Sequence, residues 1–167
     1  MSETLIARKG PDLHKIATHI CIGGVVSGII ALLVWLLFFM PQTFTSGGFS
    51  RFDGAVEARG VAVTNGAFSK AEYFVEFTLF RSGRYRVYPA DTYTGELKVR
   101  HSIGPVQYFT LTSGEDTTTQ RIKVGWQWEP GSQAQKHNWQ PESVEFVLRR
   151  QRDGMIENSF QWLPTPK

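Results

Sequence analysis

The side chains able to do chemistry are few and scattered. The chain has four histidines, and only His101 and His137 fall after residue 51. They are far apart, with no HxH or HxxxH spacing and no neighbouring cysteine. A transition metal needs three or four converging ligands, so no metal site is expected. His14 and His19 flank an apolar run, where a snorkelling or capping role suits them better than a proton relay. No serine sits in a GxSxG elbow, and no glycine-rich loop is shaped to cradle phosphate. Ser82-Gly83, Ser113-Gly114 and Gly131-Ser132 read as turn dipeptides. Glu115 and Asp116 fall in a turn, while Glu72 and Glu76 are expected to face solvent along one strand. Paired carboxylates of the glycosidase kind converge in space and not in sequence, and nothing here separates them from ordinary solvated acids. The expectation is a protein without catalytic residues and without a cofactor.

Aromatic and basic side chains offer more. Trp126, Trp128, Trp139 and Trp162 lie in the C-terminal third, and Tyr85, Tyr88, Tyr93 and Tyr108 precede them. Such rings combine a large rigid face with a polar handle, which suits sugars, peptides and protein partners. Ile122, Val124, Trp126 and Trp128 share parity and so form the core face of one strand, and Phe160 and Trp162 share parity in the same way. Trp139, between Asn138 and Gln140 in a polar segment, is the best candidate for an exposed contact. Arg84 and Arg86 share a face that Tyr88 continues, and Arg149, Arg150 and Arg152 crowd a hairpin end. Either cluster could meet anionic headgroups or an acidic partner, although charged strand faces are also the ordinary protection of a sheet.

The elements that must position these groups have a period of two from Arg51 onward. Tyr73, Val75, Phe77 and Leu79 point one way along Glu72–Phe80, a half-buried strand. Ala55–Val63 precedes it across Asn65-Gly66, a two-residue hairpin signal. Further strands fit Arg84–Tyr88, Gly95–His101, Val106–Thr112, Thr118–Trp128, Ser143–Gln151 and Met155–Trp162, the last two joined at Asp153-Gly154. Glu129–Pro141 reads as a mobile loop. About eight short strands closing on themselves predict an antiparallel β-sandwich over residues 51–167.

Before that domain stands an uncharged stretch between Lys15 and Arg51, with Ile16 to Met40 almost wholly apolar. About 20 apolar helical residues cross a bilayer, so residues 16–40 are expected to form a single transmembrane helix. Arg8, Lys9 and Lys15 precede it, which puts the tail, residues 1–15, in the cytoplasm and the β-domain outside. The run is too long for a cleaved signal peptide and ends in bulky residues, so it reads as a signal-anchor. Ala17, Cys21, Gly24, Gly28 and Ala31 line one face, with a GxxxG match that favours close helix–helix approach. Residues 41–50, rich in Gly, Ser, Thr and Pro, read as a linker. The only cysteine is Cys21, so the β-domain has neither a disulfide nor a thiolate metal site. Of 18 basic and 15 acidic residues, five precede the span, and the remainder is mixed in sign and close to neutral. That balance does not favour nucleic acid.

These features point to a non-catalytic, single-pass subunit of the inner membrane with a periplasmic or otherwise extracytoplasmic domain. It would serve as a structural or assembly component, with the bilayer and other membrane subunits, like or unlike, as partners. The alternative is an anchored module that recognises a glycan, peptidoglycan or peptide through exposed aromatics. Trp139, Arg84, Arg86 and Tyr88 are the candidate contacts for a partner or ligand.

Overall fold

The computed structural model describes residues 13–66 and 69–166, and it divides into a unit ending at Met40 and a second covering Pro41 onward. The first unit is helix α1, Leu13–Phe39. Among the described residues no helix is long and apolar enough to cross a membrane, and the expected span begins among residues whose side chains lie outside the description. The expected cytoplasmic tail falls largely outside it, as do the side chains of Ala17 and Cys21. Gly24, Gly28 and Ala31 lie exposed on α1, and a methyl group at either glycine would meet nothing within 4 Å.

The second unit is all β, built of two antiparallel sheets. The first contains β1 (Pro41–Thr45), β2 (Phe49–Arg51), β3 (Val56–Asn65), β4 (Glu72–Leu79) and β7 (Thr118–Lys123). The second runs in the order β6 (Gln107–Thr112), β5 (Thr92–Val99), β8 (Ser143–Arg150) and β9 (Ile156–Trp162). The expected alternation on β4 is present: Tyr73, Val75, Phe77 and Leu79 are all buried. Small residues of β3 face them, with Ala58 beside Phe77, Gly60 beside Val75 and Ala62 beside Tyr73. Phe77 closes the interior by meeting Phe109 at 5.2 Å and Phe146 edge-on at 5.3 Å, both from the second sheet. Gly95 lies opposite Phe109, whose ring occupies the space a side chain there would need. Large rings are set against small residues across the interior, an arrangement that suits close packing.

Several sequence expectations are corrected. The expected linker supplies two strands, because alternating Thr and Phe residues pair with β3 and send Phe44 and Phe49 against the core. The β3–β4 connection is longer than two residues: pairing ends at Val63 and Glu72, with Gly66 in the left-handed region at φ 104°. Arg84–Tyr88 is not a strand of either sheet but one side of a protruding hairpin, bridged between Ser82 and Val87. β7 stops at Lys123, and Glu129–Pro141 contains a one-turn helix, α2 (Gln133–His137), capped by the Ser132 hydroxyl.

Two larger departures concern polarity. Glu76 does not face solvent. Its side chain is 2% exposed, on the outer face of the first sheet, between Arg59 of β3 and Arg121 of β7. Arg121 Nε donates to one carboxylate oxygen at 2.6 Å and Arg59 to the other. The second departure is β9, which is inside out. Its inward positions are Glu157, Ser159 and Gln161, while Ile156, Phe160 and Trp162 point outward. The inward groups fasten β9 to the first sheet: Gln161 Nε2 donates to Ser46 Oγ at 2.6 Å and to Gly47 O at 3.0 Å. Arg51 donates to Ser159 Oγ, and Glu157 accepts from the Phe52 N–H at 3.1 Å. On the opposite side of the domain, Gln107 spans β6 and β7, donating to Lys123 O and accepting from Gly125 N–H.

Candidate functional site

A cleft of about 390 Å³ opens at one end of the second sheet, lined by Trp128, Trp139, Trp162, Arg100, His101 and Gln140, among others. Each wall has a local cause. Past β5, the chain turns at His101 in the left-handed conformation (φ 57°), which leaves the imidazole at the rim. Beyond Gly125, the Trp126–Trp128 segment returns to pair Trp128 with Ser102. The two indoles meet edge to face at 5.3 Å. α2 ends at Asn138, again left-handed (φ 51°), and this reversal projects Trp139.

The Trp139 backbone is pinned on two sides. Its N–H donates to Ala134 O at 3.0 Å, and its carbonyl accepts from Trp128 Nε1 at 2.8 Å. His137 stacks on its ring at 5.5 Å and 21°. Trp162 belongs to the outward side of β9, and Leu163 N–H donates to Glu142 O at 2.7 Å just beyond it. Although held in place, Trp139 and Trp162 remain 55% and 54% exposed. Gln140 Oε1 accepts from the buried Tyr73 hydroxyl at 2.5 Å, which leaves its amide N–H groups as donors for a ligand. Burial pushes the Tyr73 phenol up to about 12, so at neutral pH it is a permanent donor to Gln140.

Trp139 is exposed, as its polar neighbours predict, and lines the cleft. Trp126 is half-buried against the core, but Trp128 lines the cleft and Phe160 and Trp162 are outward, which corrects their expected place on a core face. Parity groups two residues on one side of a strand without saying which side is buried, and no apolar signal marks the true inner row of β9. His101 and His137 both lie at this end of the domain, one in the lining and one stacked on Trp139. Among the described residues no group of three or more His, Cys, Asp or Glu could hold a metal ion.

Arg84, Arg86 and Tyr88 do not line the cleft. Arg86 Nη1 and the Tyr88 hydroxyl donate to Asp53 O at 3.1 and 2.8 Å, bracing the protruding hairpin on the turn at Phe52–Gly54. Arg150 and Arg152 are engaged as well, with Asp153 and Asp91. The hydrogen bond from Arg150, with a second from the Met155 N–H, holds the Asp153 carboxyl down at about 2.

Compared with known proteins, the chain matches no family model, no curated protein and no solved structure.

Proposed function

We propose that this protein is a non-catalytic binding module, carried on an N-terminal membrane anchor, which takes an extracytoplasmic polymer in the cleft of Trp128, Trp139 and Trp162. One observation carries the reading: two indole rings stay half exposed on a backbone that hydrogen bonds hold still. Exposed rings gathered in one concave patch mark binding surfaces, and rigid aromatic anchors give affinity at little entropic cost. The polar groups around them, Gln140, Arg100 and His101, supply direction. The β-domain then lies on the periplasmic side of the inner membrane, with the N-terminus in the cytoplasm.

The test is a fluorescence titration of the full chain against panels of soluble glycans and peptides. Binding should move tryptophan emission, and Trp139→Ala should weaken it by about thirtyfold, as for an anchor worth about 2 kcal/mol. A spectrum unmoved across both panels would refute the reading. A second reading, a structural subunit of a larger membrane complex, draws support from Gly24, Gly28 and Ala31 sharing exposed surface on α1. It predicts co-purifying protein in mild detergent that Gly24→Leu with Gly28→Leu releases. A monomer without companions removes it.

A further inference from the structure

A second concavity lies beyond Trp162. The outer face of the second sheet carries a groove of about 440 Å³ whose lining includes Glu96, Lys98, Val106, Glu145, Asn158 and Phe160. Two contacts join the lining of the groove to that of the cleft. Phe160, in the groove, meets Trp162, in the cleft, edge-on at 5.7 Å. Arg100, in the cleft, reaches Glu145 Oε1 in the groove at 3.1 Å and lies 5.8 Å from the Phe160 ring. Strand register sets the arrangement in rows. Tyr108, Glu96, Val147 and Asn158 form one row across the sheet, and Lys98, Glu145 and Phe160 form the next. From Asn158 to Trp162 β9 spans about 13 Å at the usual rise per residue, and the cleft carries the lining on to Trp139, so the two together are long enough for a chain of several units.

Resting on the binding reading above, we infer that the occupant is an extended, neutral glycan, lying along the outer face of β8 and β9 with one end in the tryptophan cleft. Charge is the first argument. Glu96 and Glu145 are set among Lys98 in the groove and Arg100 at the cleft, with Glu145 paired to Arg100, so the surface offers neither a polyanion nor a polycation a face of one sign. Hydroxyl groups pair equally well with either sign. Backbone accounting is the second argument. The N–H and C=O groups of β5 and β8 are consumed by neighbouring strands, so a peptide on this face could pair its backbone only at the free edge of β9, and elsewhere its amides would have side chains alone as partners. A sugar chain has no ladder of amides to pair, and its hydroxyls, which also need partners when buried, find side chains along the groove. Its C–H faces suit the rings of Trp139, Trp162, Phe160 and Tyr108, and its hydroxyls suit the charged side chains between them.

The experiment titrates the full chain, in a non-glycosidic detergent, with β-1,4-linked glucose and N-acetylglucosamine oligomers from dimer to hexamer, read by calorimetry and tryptophan emission. Affinity should rise by at least about tenfold from dimer to hexamer in one or both series. Phe160→Ala, whose ring touches Trp162 and Arg100 of the cleft, should weaken the hexamer more than the dimer and so flatten that rise, and Asn158→Ala, at an exposed position further along, should reduce it. Trp139→Ala should weaken every length. Equal affinity for dimer and hexamer overturns the extended groove and leaves the cleft standing. Binding of peptides at Trp139 with indifference to both sugar series overturns the glycan and again leaves the cleft. Silence towards sugars and peptides alike overturns both.

Discussion

Replacing Glu76 by Gln tests the clearest electrostatic feature of the β-domain. The carboxylate is 2% exposed, and its two arginine partners, Arg59 and Arg121, are 44% and 49% exposed. Breaking a buried ion pair from one side costs about 3–5 kcal/mol, because the remaining charge is stranded. Here both guanidiniums are close enough to water to be partly resolvated, which reduces the penalty, and the glutamine oxygen can still accept one bond. The expected loss is therefore about 2–3 kcal/mol, a large share of the roughly 5–15 kcal/mol that holds an ordinary domain folded. In urea the midpoint should fall with the slope unchanged, and the melting temperature should drop by about 10 °C.

The acid limb supplies an independent reading of the same group. Burial pushes the Glu76 carboxyl up, but hydrogen bonds from Arg121 and Arg59 outweigh it and hold the group below its ordinary value of 4.5. The folded state therefore binds this proton less readily than the unfolded chain. Its stabilising contribution is complete above pH 4.5 and disappears as the pH falls through the lower folded value. Glu76→Gln should flatten that part of the stability profile. A loss under about 0.5 kcal/mol, or an unchanged acid limb, would show that the triad behaves as a surface pair and refute the reasoning.

Three further outcomes are expected. Gly95→Ala should cost about 1–3 kcal/mol in denaturant, because the ring filling the space is Phe109, itself stacked on Phe77; a neutral result would mean that Phe109 is free to move. Tyr73→Phe should remove a step of alkaline destabilisation. The raised phenol contributes stability that is present below its ordinary value of 10 and lost as the pH climbs towards about 12, so pH-jump unfolding with and without the hydroxyl decides it. Gln161→Leu should cost about 1–2 kcal/mol through its lost bonds to Ser46 and Gly47. Hydrogen exchange of the β9 amides should accelerate first, whereas uniform acceleration throughout the domain would argue against a local clasp.

What was legible in the sequence followed from periodicity. Tyr73, Val75, Phe77 and Leu79 announce both a strand and its inner face, because every second residue is apolar and the others are polar. Where both faces of a strand are amphipathic the signal fails. Glu76 looks like any outward glutamate, since its burial is made by Arg59 and Arg121, which arrive from strands before and after it in the chain. Residues 41–50 have the composition of a linker, and only pairing with β3 turns alternating Thr and Phe into strand. At the cleft, Trp139 was recognisable from its polar neighbours. Trp128 and Trp162 were not, because their place depends on how the ends of β5, β7 and β9 meet.

The inverted polarity of β9 has a consequence for how the molecule reaches its native state. Shifting this strand by a single residue would carry Phe160 and Trp162 inward and expel Gln161, an exchange that hydrophobicity alone would reward. The native alignment is chosen by polar fasteners instead: Gln161 on Ser46 and Gly47, Ser159 on Arg51, and Glu157 on the amide of Phe52. These partners lie more than a hundred residues earlier in the chain, so the last strand finds its alignment only after β1 and β2 are in place. Synthesis from the N-terminus supplies that order. A circular permutant that made β9 before the Ser46–Phe52 segment would meet the slipped alignment first, as a kinetic trap.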